Sequence, residues 1–272
     1  MVVAAFGGLG SPVPLSGGEG RSWRAGGIVL KLVGATVDEL EWQAAVLGSV
    51  QSRHIRLAPP LRTADGKWVV DGWCAAPFMA GTHAQGRWAD VIRAGEALHA
   101  ALATHPRPTF LDRRTDRWAV ADRVAWEELT VERFSGTAHV ARLAAARQPL
   151  QDPAQLIHGD LTGNVLFAPD LPPAIIDFSV YWRPRPFASA IVVADAIVWE
   201  GADRSVLEAV IHAERSGHRD APALEGPRRR SVFGRRGTGA EHLRLRARVT
   251  DALDFSRSGM GGVLPGGRAV GS

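Results

Sequence analysis

Two short polar segments constrain this fold more than any other part of the chain: His158-Gly159-Asp160-Leu161-Thr162-Gly163-Asn164 and Ile176-Asp177-Phe178. Each follows an apolar run of strand type, Leu156-Ile157 and Ala174-Ile175. Ala168 to Pro173, between them, reads as a Pro/Asp-rich turn. The spacing predicts two neighbouring strands whose ends carry an imidazole, two carboxylates and an amide. Such a set can orient a hydroxyl and hold a divalent cation against phosphates. The plainer alternative is a pair of turns capped by Asp and Asn. Four suitable residue types in order at strand ends favour a site.

The chain before these segments reads as a small antiparallel sheet with one inserted helix. Gly17-Gly18-Glu19-Gly20 and Gly26-Gly27 are turn signals around Ser22–Arg24 and the β-like run Ile28–Leu32. Thr36 with Glu39 makes a capping box, which predicts a helix to about Leu47. His54 to Leu61 reads as a strand, Asp65-Gly66 as a hairpin turn and Lys67 to Ala76 as the return strand. From Trp88 the pattern turns helical: Val91, Ile92, Gly95, Leu98 and Leu102 share a face, ending near Thr104 before Pro106 and Pro108. Residues 117–134, 137–147, 188–200 and 205–214 also read as helices.

Charge separates the chain into a body and a tail. Residues 215–272 hold 12 Arg against 5 Asp plus Glu, whereas the body is slightly acidic. Nucleic-acid binding by the body is therefore not expected, and non-specific adhesion would belong to the tail. The tail is also rich in glycine and mostly lacks apolar period. Only two lysines, Lys31 and Lys67, stand among 30 arginines, which marks each as a place where a compact ammonium has a use. The lone Cys74 rules out an internal disulfide and a cysteine-rich zinc site. No uncharged apolar run reaches membrane-spanning length, and the start of the chain lacks a secretory signal pattern, so a cytoplasmic protein is expected. The P-loop, zinc-protease and serine-esterase local motifs are all missing.

The segments HGDLTGNVLF and IIDF resemble the catalytic loop and metal-binding strand end of the aminoglycoside phosphotransferase family. The order of glycine turn, Lys31 on a strand, a helix with Glu41, a hairpin and a helical part fits as well, over roughly residues 10–214. The resemblance implies an α+β, bilobal, protein-kinase-like fold. A small antiparallel β N-lobe would span 10–76 and a mainly helical C-lobe 77–214, with 215–272 as an Arg/Gly-rich tail. It implies ATP-dependent phosphorylation of a hydroxyl on a small molecule, with ATP and Mg²⁺ as cofactors. Asp160 would be the catalytic base, braced by His158. Asn164 and Asp177 would bind Mg²⁺. Lys31 would meet the nucleotide phosphates, paired with Glu41; Glu39 competes for that role but has the helix cap to make. Gly18 and Gly20 would approach the phosphates or simply make a hairpin turn. Trp73–Ala76, with Cys74, would connect the lobes and turn its backbone to the adenine; the Cys74 thiol itself reads as a small buried hydrophobe.

The Asp160–Asn164 spacing is one residue shorter than that family's usual loop. This motivates a second reading, a nucleotide-binding pseudokinase. A third is an interaction protein whose arginine tail binds RNA or anionic partners. Substrate and oligomeric state are not readable from the residues.

Overall fold

In the computed structural model of the 272-residue chain, the structure describes residues 2–15, 20–130, 142, 145–146, 152–203 and 205–207. A short helix α1 (Val2–Ala5) leads to strands β1 (Val13–Pro14), β2 (Ser22–Ala25) and β3 (Ile28–Leu32). Helix α2 (Val37–Ser49) and strand β4 (Arg56–Leu57) precede β5 (Trp73–Pro77). Strands β1, β2, β3 and β5 form an antiparallel sheet in that order. The β2–β3 hairpin turns at Gly26-Gly27, as the glycines predict, and its register sets Ser22 opposite Lys31. Ala25, Ile28 and Leu30 join Ala75 and Phe6 in a small core of their own. Thr36 caps α2 by accepting from the Glu39 N–H.

The second part is built on helix α3 (Trp88–Leu102), a 3₁₀ turn (Thr109–Arg113) and helix α4 (Arg117–Ala125). Strands β6 (Ala154–His158), β7 (Val165–Ala168), β8 (Leu171–Ile175) and β9 (Val180–Pro184) follow, then helix α5 (Arg185–Val198). Among the described residues β6 pairs only with β9, and β7–β8 is a hairpin turning at Asp170 (φ 57°). Helix α3 packs on α5 and β6, and Leu98, Leu102, Leu156, Val180 and Val192 are fully buried between them. The fold is thus α+β and two-lobed, with a small sheet on its own core beside a larger core under α3 and α5. Among the described residues no helix is long and apolar enough to cross a membrane.

Several elements differ from the sequence reading, each for a local reason. The strand expected over His54–Leu61 shrinks to β4, because Pro59 and Pro60 lack the N–H a ladder needs. β4 pairs in parallel with β8, held by Arg56, whose guanidinium donates to the Pro172 and Ala80 carbonyls (2.8 and 2.9 Å). Val46, Leu47 and Ile55, inside the stretch assigned to the first lobe, pack into the larger core. The return strand begins only at Trp73, after Asp71 and Gly72 take left-handed φ (49° and 78°). Helix α4 stops at Ala125, ahead of the left-handed Glu127 (φ 61°). Most of the expected helices 137–147 and 205–214, and all of the tail 215–272, lie outside the described residues.

Candidate functional site

Strand β6 ends at His158, which is fully buried. Its Nδ1 accepts from the Asp160 N–H (3.1 Å), and its Nε2–H donates to the Ile176 carbonyl (3.1 Å). One imidazole therefore ties the loop after β6 to the end of β8. Burial pushes its pKa down to about 4, so the ring is neutral, as those two bonds require. The Phe178 ring packs edge-on against it at 5.7 Å. At Gly159 the N–H donates to the Ser179 carbonyl (2.9 Å), and a Cβ there would run into the Tyr181 ring from β9. The loop is also seated from the other side: Leu161 is buried against Gly95 of α3, where a Cβ would meet its methyl group.

The loop holds Asp160 and Asn164 together. The Asn164 Nδ2 donates to the Asp160 carbonyl (2.8 Å) and to its Oδ2 (3.2 Å). The Asn164 carbonyl accepts from the Ile176 N–H (3.0 Å), a second tie between loop and strand end. Asp160 opens to the surface, yet the protein packed behind it raises its carboxyl above the usual range. The nearby charges of Asp195 and Asp177 add to that rise, and the Asn164 amide opposes it. A carboxylate so tuned is a better proton acceptor than a free one.

Asp177 follows β8 with a left-handed backbone (φ 55°) and is half exposed. Its Oδ2 lies 2.5 Å from the Lys31 Nζ of β3, so the glycine-turn sheet and the strand end meet here. The expected Lys31–Glu41 pair does not form. Glu41 is exposed and pairs with Arg62. Glu39 is buried and pairs with Arg114, whose other nitrogen donates to the Val180 carbonyl (2.8 Å). Two residues apart on a helix point to different sides, so only one of these acids faces inward, and it turns to the larger lobe.

Cys74 stands opposite Lys31 in the β3–β5 ladder, its sulfur 3.6 Å from the Lys31 carbonyl. Burial pushes its thiol pKa up. Trp73–Ala76 are thus sheet residues rather than the connection between lobes. Ala75 accepts from the Leu61 N–H on its outer side (2.8 Å), and the pairing with β3 extends to Pro77. Gly20 has left-handed φ (69°) before β2, as a turn glycine; Gly18 lies outside the described residues.

Among the described residues no group of three His, Cys, Asp or Glu could hold a metal alone. Mg²⁺ asks for less: one or two protein oxygens, with phosphates and water completing the shell. With the Asn164 nitrogen committed to Asp160, its Oδ1 is the amide atom left for a cation, and its backbone carbonyl binds the N–H of Ile176, the residue before Asp177. The residues fit that ion.

Three polar residues of the site were not assigned from the sequence. Arg114 fastens α2 to β9. Asp195 lies on α5 close enough to raise Asp160. His99 lies on α3, and its signal was present: a polar residue within the apolar stripe of Gly95, Leu98 and Leu102.

Comparison with known proteins gives the family of the chain. A family model described as "Phosphotransferase enzyme family" matches residues 14–222. A probable ketoamine kinase, YniA, of Escherichia coli K12 is 33% identical over a stretch covering 36% of each chain. The chain thus spans about a third of the length of the curated relatives it matches. Among solved structures, a spectinomycin phosphotransferase in complex with ADP and spectinomycin superposes with a TM-score of 0.48 at 14% identity. That match covers 95% of this chain and 85% of the other. An aminoglycoside 2'-phosphotransferase bound to GDP gives 0.44 at 14% identity, covering 92% and 97%.

Proposed function

The chain belongs to the phosphotransferase enzyme family, and from that premise we propose that it transfers the γ-phosphoryl group of ATP to a hydroxyl of a small molecule. The observation that carries this reading is the meeting of Lys31, Asp177, Asn164 and Asp160, from β3, the end of β8 and the loop after β6, on one side of the molecule. Asp160 orients the acceptor hydroxyl and takes its proton as the new P–O bond forms. Asn164 and Asp177 would hold Mg²⁺, which when bound would supply positive charge against the phosphates. Lys31 leaves Asp177 for the phosphate oxygens. His158 does not react; it positions Asp160 and Ile176-Asp177 from the buried side.

The name of the curated relative makes ketoamines the first acceptors to try. Those of the structural neighbours add spectinomycin, and aminoglycosides more broadly. The test is ATP consumption by the full chain with these and other hydroxyl-bearing metabolites. Acceptor-dependent ADP release supports the reading, and its absence across the panel counts against it. The pseudokinase reading draws on a specific feature, the short loop in which the Asn164 amide reaches Asp160 itself. It requires ATP binding with no acceptor-dependent turnover.

A further inference from the structure

His99 is 1% exposed, in the last turn of α3. Its Nε2 accepts the backbone N–H of His158 at 3.0 Å. Among the described residues that N–H has no strand to pair with, because β6 has a single neighbour there, β9, and the residue after it already donates to Ser179. The bond specifies the Nδ1–H form of His99, and that Nδ1 is buried without a partner among the described residues. An apolar side chain would pack here without leaving a ring N–H unsatisfied, so the imidazole is disfavoured at this place for packing alone. Its one ring bond goes to the first residue of the loop. Burial, with the neighbouring His158 and Arg185, holds its pKa down at about 3, so it stays neutral and able to accept. The His99 carbonyl also accepts from Gln155 of β6 (2.8 Å), a second hold on the same strand.

We propose that His99 is a positioning residue for the phosphotransfer loop, setting the end of β6 through the His158 backbone so that the His158 ring can bind Asp160 and Ile176 together. The role assigned to Asp160 rests on the reading above; the geometric part does not.

The test compares the full-length wild type with His99→Leu, which removes the acceptor, and His99→Gln, which keeps one near the Nε2 position. Folding is checked by thermal unfolding. The primary readout is hydrogen exchange at the His158 amide, with two-bond ¹H–¹⁵N spectra reporting the His158 ring. His99→Leu should speed that exchange by about tenfold or more, the effect of orphaning one buried donor, and should disturb the Nε2–H form of His158. His99→Gln should restore both. If His99→Leu does not fold, His99→Asn, with its oxygen one carbon short, takes its place against His99→Gln. Unchanged His158 protection in the acceptor-free variant, or equal loss in both variants, overturns the proposal. With an acceptor in hand, kcat should fall by about tenfold in His99→Leu, with ATP affinity within about twofold, and recover in His99→Gln. A wild type without turnover would defeat the phosphotransfer reading alone, since the exchange measurement still decides the role of His99.

Discussion

Asp177 holds a left-handed backbone (φ 55°), a region mildly strained for a residue with a side chain though Asp tolerates it better than most, and its carboxylate lies against Lys31. Strain of this kind persists where the surroundings over-determine it. Here Asn164 and His158 both bind the adjoining Ile176. Asp177→Ala should therefore abolish the Mg²⁺ dependence of ATP binding while the thermal transition stays cooperative. Titrations of ATP with and without Mg²⁺ check it; an unchanged Mg²⁺ effect would remove Asp177 from the metal site. Asp160→Asn should leave ATP affinity nearly intact and slow turnover by about 10²-fold or more. Because burial raises the Asp160 carboxyl, and the base works ionised, turnover should fall with decreasing pH at a pH above the ordinary carboxylate range. An acid limb at or below the usual value of 3.8 would count against Asp160 as the base.

At the scale of elements, the loop after β6 is clamped between two others. Tyr181 of β9 covers Gly159, and Gly95 of α3 receives Leu161. Gly159→Ala must push the Tyr181 ring aside, at a cost of about 1–3 kcal/mol, and should lower turnover more than ATP affinity. Chemical denaturation and ATP titration measure the two effects. A neutral substitution would mean that Tyr181 yields freely. Both glycines were visible in the sequence, but nothing local announced what they face. β9 itself was missed: its residues Val-Tyr-Trp-Arg-Pro gain strand character from pairing with β6, a partner distant along the chain. The Thr36 half of the α2 capping box, by contrast, depends on residues three apart and forms as expected, while the Glu39 carboxylate goes to Arg114. The acids of α2 could not be sorted in advance, since the choice between Arg62 and Arg114 depends on which side of α2 the larger lobe covers.

For the molecule as a whole, two neutral buried histidines link folding to pH. The unfolded chain takes up protons on His99 and His158 near 6.5, while the folded chain resists until about 3 and about 4. Folding stability should therefore fall as pH drops from about 6.5 toward about 4, by up to about 1.4 kcal/mol per pH unit for each ring. Urea unfolding at pH 7, 6 and 5 tests this, and His99→Gln should lower the slope; a flat profile in the wild type would contradict two neutral rings. Local chemistry settled much of this protein in the sequence alone. The β2–β3 hairpin, the start of α2, the span of α3 and the polar ends of β6 and β8 all follow from glycines, caps, apolar period and residue order within a short stretch. Long-range packing decided the rest: that Lys31 meets Asp177 and not Glu41, that β4 joins β8, and that His99 reaches the backbone of His158. Those pairings join residues far apart in the chain. They depend on how the two cores bring β3, α3 and the ends of β6 and β8 together, which no short window of sequence contains.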